Sequence, residues 1–243
     1  MRLHPSILLA LALSPGSFAQ DASKVYLAEF SNNSTLRVVD IDTGVVSDSV
    51  TLQLNSPTDF ASSPDGAIYA TTTSRLHQVD PSTGMASLTG SPGVGGAIVG
   101  LEFDCDGGAF IVTSSGVFAS VDLSTGQGTP IENFPVAFSG DITTRGGGVF
   151  YATFEGVSES RLARIDTSTT PPTFLDLGIP VAGRRLLGLD FDGLGRLIAS
   201  DDQRSPGNLY EISGFDVGGS LSSALRASVP NLTGPIAGIA SFV

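Results

Sequence analysis

The chain has 243 residues, of which 24 are acidic and 12 are Lys or Arg, so its formal net charge is −12 at pH 7. Nucleic acids and anionic membrane surfaces attract basic proteins, and this excess of negative charge argues against both as partners. Cys105 is the single cysteine, which excludes an intramolecular disulfide.

The first residues have the features of an export signal. Arg2 supplies a positive charge, residues 7–13 form a short apolar run, and Ser17 and Ala19 are small residues just before a predicted cleavage point. We therefore predict a signal peptide at residues 1–19, followed by a secreted or periplasmic product that is a single domain, residues 20–243. No later segment has the ~20 apolar residues needed to cross a bilayer, so we expect no membrane insertion.

From residue 24 onward the sequence is rich in strand signals. Short runs of Val, Ile, Leu, Phe and Thr alternate with clusters of Gly, Pro, Asp, Asn and Ser. The 30 glycines and 14 prolines suit a fold with frequent tight turns. Apolar residues do not keep the i, i+3, i+4, i+7 spacing of a helix over several turns. The sequence therefore predicts an all-β fold.

A motif consisting of a short strand and a turn recurs along the chain. It occurs at Leu36–Gly44, Leu76–Gly84 and Phe118–Gly126, and a degraded copy lies at Leu162–Thr170. In the turn, Asp accepts hydrogen bonds from the backbone two residues on, and Gly takes a left-handed conformation. The copies are about 40 residues apart, a period typical of the blades of a β-propeller.

Two further columns of strands give the number of blades. The first column precedes a turn and comprises Asp59–Ser62, Gly100–Phe103, Asp141–Thr144, Gly188–Phe191 and Gly238–Ser241. The second follows the turn and comprises Val25–Ala28, Ile68–Thr71, Phe110–Thr113, Phe150–Thr153 and Leu197–Ser200. Pairing of residues 238–242 with residues 25–30 would close the ring and remove exposed sheet edges. We predict a β-propeller of five four-stranded blades, closed by pairing of the last strand with the first.

These repeats resemble those of known secreted bacterial propellers. Leu76–Gly84, Gly100–Asp104 and Gly188–Asp192 are similar to the strand-and-turn pattern of the NHL, YncE-like and gluconolactonase-like superfamily. The resemblance covers nearly all of residues 24–243 and implies a propeller fold. It also implies one enzymatic alternative, a metal-dependent hydrolase or lactonase of the gluconolactonase-like type.

The first column of strands is expected to line the central channel of the propeller. Alternate residues of a strand share a face, so the first and third positions of these strands point the same way. Four carboxylates occupy these positions, namely Asp59, Glu102, Asp141 and Asp190. Two interpretations stay open. The carboxylates hydrogen-bond the backbone of neighbouring blades or channel water, or they bind a divalent cation, for which oxygen ligands favour Ca²⁺ or Mg²⁺.

Other polar residues are weaker candidates. Four acids lie near the ends of the second-column strands, facing one rim: Glu29, Glu155, Asp201 and Asp202. Arg184 and Arg185 are adjacent basic residues that precede an inner strand. His77 is the one histidine beyond the predicted signal peptide. The sequence therefore disfavours a catalytic site that depends on histidine, and we assign no catalytic residue.

The sequence favours a non-catalytic binding or interaction module, with a divalent cation at the channel carboxylates as a further expectation. The alternative is the metal-dependent hydrolase or lactonase described above, using the same carboxylates. The partner is an unidentified protein or small molecule, and we expect a monomer.

Overall fold

The computed structural model describes residues 22–216 and 219–242 and contains only strands, turns and loops within these ranges. The predicted signal peptide at residues 1–19 lies outside the described residues. In the described part of the chain, no helix is long and apolar enough to cross a membrane.

Twenty strands follow one another along the described residues. The first three are β1 (Lys24–Glu29), β2 (Thr35–Asp40) and β3 (Val46–Thr51). The next four are β4 (Asp59–Ser62), β5 (Ile68–Thr71), β6 (Leu76–Val79) and β7 (Ala86–Gly90). They are followed by β8 (Ile98–Phe103), β9 (Ala109–Thr113), β10 (Val117–Asp122) and β11 (Gln127–Asn133).

The second half of the chain continues the same order. The fourth group is β12 (Phe138–Thr144), β13 (Val149–Glu155), β14 (Ser160–Asp166) and β15 (Thr173–Gly178). The last strands are β16 (Leu186–Phe191), β17 (Leu197–Asp201), β18 (Gly207–Ser213), β19 (Ser222–Val229) and β20 (Ile236–Ser241).

These strands form five antiparallel four-stranded sheets, which are the blades of a propeller. Blade 1 has the order β20-β1-β2-β3, and blades 2 to 5 use β4–β7, β8–β11, β12–β15 and β16–β19 in chain order. In blade 1, Leu27 pairs with Ile239 and Val25 with Ser241. The predicted five-bladed propeller and its closure by the last and first strands are therefore confirmed.

The repeated strand-and-turn motif closes the hairpin between the third and fourth strands of the blades. In blade 2, Asp80 Oδ1 accepts a hydrogen bond from Ser82 N (2.8 Å), and Gly84 N donates to Asp80 O (2.8 Å). Gly84 has a φ of +71°, a conformation that side chains rarely adopt, and it lies against the backbone of Thr51 in blade 1. The Asp of this motif is therefore a turn residue, as its chemistry predicts.

The core lies between the blades. The second residue of each predicted inner strand is almost fully buried, and each belongs to a different apolar cluster: Phe60, Leu101, Ile142, Leu189 and Ile239. Leu101 of blade 3, for example, lies in a cluster with Leu76 of blade 2. Because each cluster draws on two adjacent blades, apolar burial holds the ring together.

Candidate functional site at the central channel

The four carboxylates that the sequence singled out lie on the inner strands β4, β8, β12 and β16. Asp59 and Asp141 are 0% and 1% exposed, Asp190 is 9% exposed, and Glu102 is partly buried. Glu102 and Asp190 also line a small space of about 20 Å³ within the channel. The prediction that these positions share the channel is consistent with this placement.

Asp59 and Asp141 each connect two blades through backbone hydrogen bonds. Asp59 Oδ1 accepts from Phe60 N (2.7 Å), and Asp59 Oδ2 accepts from Leu101 N of the next blade (2.5 Å). Asp141 repeats this arrangement, accepting from Ile142 N (2.7 Å) and from Leu189 N of the next blade (2.8 Å). Each carboxylate therefore joins its own strand to the inner strand of the following blade.

Glu102 and Asp190 make the same connection two residues further along their strands. Glu102 accepts from Phe103 N (2.6 Å) and from Thr144 N of the next blade (3.2 Å). Asp190 accepts from Phe191 N (2.7 Å) and from Ser241 N of β20 (2.6 Å). The four carboxylates thus span four of the five blade junctions, and each of their eight oxygens accepts a backbone N–H.

The carboxyl groups also interact with one another. Asp59 and Asp141 lie within hydrogen-bonding reach of each other, which requires a proton between them. Thr143 Oγ1 donates to Asp190 Oδ1 (2.9 Å), and its hydroxyl also lowers the pKa of Glu102, against the larger effect of burial. The channel therefore contains two layers of acids, an Asp–Asp pair and a Glu–Thr–Asp group.

Burial changes the protonation of all four acids. Desolvation raises the pKa of Asp59 to about 8 and that of Asp190 to about 6. Desolvation, and then the negative charge of a neighbouring carboxylate, raises the pKa of Glu102 and of Asp141 well above their ordinary values. Protons therefore neutralise part of the negative charge in the channel near neutral pH.

The first channel position of the inner strands holds an aspartate in two blades and a glycine in the other three. A Cβ on Gly238 would lie 2.5 Å from Phe60 N and against the carboxylate of Asp59. A Cβ on Gly100 would lie 3.0 Å from Ile142 N. The ring is too narrow for five side chains at this level, so glycines accompany the two aspartates.

The geometry realises one of the two interpretations that the sequence left open, since the carboxylates hydrogen-bond the backbone of neighbouring blades. No group of three or more His, Cys, Asp or Glu side chains in residues 22–216 and 219–242 is arranged to hold a metal ion. The cation interpretation at Asp59, Glu102, Asp141 and Asp190 stays a prediction, because backbone hydrogen bonds leave lone pairs on these oxygens.

A larger pocket of about 400 Å³ opens at the mouth of the channel, where the inner strands begin. Each blade contributes the residue that precedes the first channel position: Thr58, Val99, Gly140, Leu187 and Ala237. Phe30, Ser139 and Pro235 also line it, together with Asp202 and Arg204 of the β17–β18 loop. The walls are mostly apolar, with a few polar groups, which is the usual make-up of a ligand pocket.

Val99 and Ala237 are presented to the pocket by β-bulges at the start of their inner strands. Val99 lies between the paired residues Ile98 and Gly100, whose partners Thr113 and Val112 are adjacent on β9. Ala237 is likewise the extra residue between Ile236 and Gly238. A bulge leaves one residue unpaired and re-aims its side chain.

Four of the inner strands start earlier than predicted, and pocket residues lie in the part that the prediction left out. The inner strands begin at Ile98, Phe138, Leu186 and Ile236, two or three residues before the predicted starts in blades 3, 4, 5 and 1. The available signal was glycine within or beside a strand, which often marks a bulge or a close backbone approach. Val99-Gly100, Leu187-Gly188 and Ala237-Gly238 repeat this signal.

The predicted rim residues have different roles. Glu29 is fully buried and bonds Arg37 (2.6 Å) and Thr233 N (2.9 Å). Asp201 is fully buried and accepts from Asn208 Nδ2 (2.8 Å). Of these acids, Asp202 lines the mouth pocket.

The remaining predicted candidates are tied up in ion pairs or lie elsewhere. Arg184 pairs with Asp201 (3.6 Å), and Arg185 pairs with Glu155 (3.9 Å) at the surface. His77 is on β6, the third strand of blade 2, and is half-buried. Neither the basic pair nor the histidine contributes to the pocket lining.

Comparison with known proteins gives a repeat family and a fold. Residues 9–134 match a family described as a repeat of unknown function, DUF6923. A search among curated proteins finds no match.

Solved structures resemble this chain over most of its length. A chain from the crystal structure of a nidogen/laminin complex has a TM-score of 0.60 at 13% identity, covering 89% of this chain and 97% of that one. Virginiamycin B lyase from Staphylococcus aureus has a TM-score of 0.51 at 13% identity, covering 84% and 70%. A protein of unknown function from Bacteroides caccae has a TM-score of 0.50 at 12% identity, covering 90% and 98%. At these identities the similarity shows the fold alone.

Proposed function

The chain belongs to the family of repeats of unknown function DUF6923. We propose that it is a non-catalytic binding module whose ligand or partner docks in the mouth pocket. The observation that carries the proposal is the pocket of about 400 Å³, to which all five blades contribute. A pocket of roughly 300–1,000 Å³ with apolar walls and few polar groups is the usual size and character of a ligand site.

The engagement of the channel acids supports a binding role over a catalytic one. A general acid or base must reach a substrate, whereas both oxygens of Asp59 and Asp141 accept backbone hydrogen bonds and both residues are buried. Their positions at blade junctions make them structural. The polar residues that line the pocket are Thr58, Ser139, Asp202 and Arg204, a set that suits recognition.

The similar structures include both kinds of protein. One comes from a protein complex, of nidogen and laminin, and another is a lyase named for virginiamycin B. For this chain we favour the binding role, because His77, the histidine among the described residues, lies on β6 away from the pocket lining. The hydrolase or lactonase alternative has no observation of its own in its favour.

A fragment screen followed by pocket blocking tests the proposal. Small apolar fragments are screened by protein-observed NMR, and hits are titrated against the wild type and a Val99→Trp variant, which fills the pocket. Val157→Trp is the matched control, because Val157 is a fully exposed valine in the β13–β14 loop. We expect binding to be lost in Val99→Trp and kept in Val157→Trp. Fragments that bind both variants equally would contradict the proposal.

A divalent cation at the four channel carboxylates is a separate part of the proposal. Because the pKa of Asp59 is about 8 and that of Asp190 about 6, a cation would have to displace protons, and binding should strengthen as the pH rises from about 6 to about 9. Melting curves with millimolar Ca²⁺ or Mg²⁺ at these two pH values test this. A Tm increase that is larger at the higher pH and is reversed by chelation supports the cation, and an unchanged Tm at both pH values removes it.

We also propose that the protein is exported and monomeric. Export rests on the predicted signal peptide at residues 1–19. Mass spectrometry of protein recovered outside the cytoplasm should give a mature chain that begins at Gln20, and light scattering should give a monomer mass. A full-length cytoplasmic product would contradict export.

A further inference from the structure

The mouth pocket combines apolar walls with an unpaired cation at its rim. Val99, Leu187 and Ala237 are aliphatic, Phe30 is 43% exposed, and Pro235 completes this part of the lining. Burial of apolar ligand surface against these walls would be favourable, because it removes that surface from water. The pocket therefore fits a ligand with an apolar body.

Arg204 supplies positive charge at this site. It is exposed on the β17–β18 loop, and it has no hydrogen bond or ion pair with any of the described residues. Most other arginines in the described ranges hold an acid, as Arg37 holds Glu29 and Arg226 holds Glu211. In a chain with net charge −12, an arginine without a partner at a pocket is available for an anion.

Two further polar residues line the pocket. The Ser139 Oγ has almost no accessible surface, so we assign it no contact with a ligand. Asp202, two residues before Arg204, accepts a hydrogen bond from Gln203 Nε2 (3.0 Å). Arg204 is therefore the group in the lining that suits an anion.

Building on the proposed function, we propose that the mouth pocket binds an apolar carboxylate. Arg204 pairs with the carboxylate, and the apolar body lies against Val99 and Leu187. Arg suits this role because its guanidinium matches the two oxygens of a carboxylate. The same chemistry is found in the C-terminus of an apolar peptide and in a free medium-chain fatty acid.

The test uses two pairs of probes that differ only in charge. N-acetyl-leucyl-phenylalanine is compared with its C-terminal amide, and octanoate is compared with octanamide, by isothermal titration calorimetry. We expect at least one acid to bind tenfold or more tightly than its amide, and the pair that shows this preference identifies a peptide or a fatty acid as the source. Equal affinities of acid and amide in both pairs would overturn the proposal.

Variants locate the charge recognition. Arg204→Gln should abolish the preference for the acid. Arg75→Gln is the matched control, because Arg75 is another exposed arginine whose guanidinium has no hydrogen bond or ion pair to the described residues, and it is outside the pocket lining. A preference that survives Arg204→Gln, or that disappears in Arg75→Gln, overturns the assignment.

The outcomes separate this inference from the proposed function. If acid and amide bind equally, and both are blocked by Val99→Trp, the ligand class is wrong and the binding site is retained. If binding is insensitive to Val99→Trp, both proposals fail. Leu187→Trp provides a second blocking variant in case Val99→Trp does not fold, which a circular dichroism melt detects.

Discussion

Replacing Asp59 with Asn should reduce the dependence of stability on pH. Asp59 holds a proton in the native state up to about pH 8, because burial raises its pKa from an ordinary value of 3.8. In the unfolded chain the same group ionises near its ordinary pKa, so unfolding at intermediate pH releases a proton. The free energy of unfolding therefore falls as the pH rises between about 4 and 8.

The size of the effect follows from proton linkage. One proton that is bound in the native state and released on unfolding gives a slope of about 1.4 kcal/mol per pH unit. Because Asp59 and Asp141 are coupled, this proton belongs to the pair. Its release on unfolding between about pH 5 and pH 8 would remove on the order of 4 kcal/mol from the stability of the wild type. Asp190 adds a further loss of stability as the pH rises towards its pKa of about 6. These are large fractions of a typical domain stability of ~5–15 kcal/mol.

The side chain introduced by Asp59→Asn cannot ionise, and its amide can donate to Asp141, replacing the shared proton. It leaves one backbone N–H, of Phe60 or Leu101, without its acceptor, so the variant should be less stable than the wild type at about pH 5 by about 1–3 kcal/mol. The difference should shrink or reverse by about pH 8. Asp65→Asn is the control, because Asp65 is an exposed turn acid whose pKa is lowered by a hydrogen bond from the Ser63 hydroxyl.

Urea unfolding at four pH values between about 5 and 8 measures these slopes. Far-ultraviolet circular dichroism is the suitable signal, since the chain has no Trp. The wild type and Asp65→Asn should share one negative slope across this range, and Asp59→Asn should have a shallower one. A wild type whose stability is constant or rises across the range, or an Asp59→Asn variant that keeps the full slope, would refute the reasoning.

Four further changes test the fold and the turns. Ile239→Ala should cost about 2–5 kcal/mol in urea unfolding, because Ile239 is buried where β20 closes the ring; a cost below about 1 kcal/mol would contradict the importance of closure. Gly238→Ala should destabilise by about 1–3 kcal/mol, since its Cβ would meet Phe60 N, and an unchanged Tm would show that the channel relaxes. Gly84→Ala should lower the Tm more than Gly66→Ala. Both glycines have a positive φ, and a Cβ on Gly84 would in addition meet the Thr51 carbonyl. Equal losses would show that Thr51 of blade 1 shifts to accommodate the Cβ. Arg145→Met should cost about 1–2 kcal/mol, because it removes both the stacking over Phe191 and the hydrogen bond to Gly195 O. A larger loss in the same assay would mean that these surface contacts are more than peripheral.

The turn acids give the opposite trend at low pH. Hydrogen bonds from Ser82 and Thr83 lower the pKa of Asp80 to about 2, and hydrogen bonds from Ser124 lower the pKa of Asp122. The stability that these turn acids contribute is present above the unfolded pKa and is lost as the pH falls through the folded pKa. Together with the channel acids, they place the expected maximum of stability at about pH 4 to 5.

The positions of the four channel acids could be predicted because alternation along a strand is local. Asp59 and Asp141 share the first position of their strands, and Glu102 and Asp190 share the third, so the sequence alone assigned all four to one face. Their hydrogen-bond partners could not be predicted. Asp59 bonds Leu101 N, 42 residues away, and the partner depends on how neighbouring blades are displaced along the channel.

The mouth pocket could not be predicted for a related reason. Val99 and Ala237 are ordinary apolar strand residues in the sequence, and only the bulges in β8 and β20 turn them towards the channel mouth. Arg204 lies in a loop whose direction no local pattern specifies. Its position beside the same pocket as Val99, which is far from it in the sequence, follows from the closure of the ring.

The sequence by itself determined the all-β class, the period, the number of blades and the pairing of the last strand with the first. These features depend on turn chemistry and on alternation, which act over a few residues and repeat in each blade. Only the tertiary structure decided that the channel acids join blades and share protons, and that an apolar pocket with Arg204 opens above them. Both depend on distances between residues of different blades, and those distances are fixed when apolar packing closes five blades into a narrow ring.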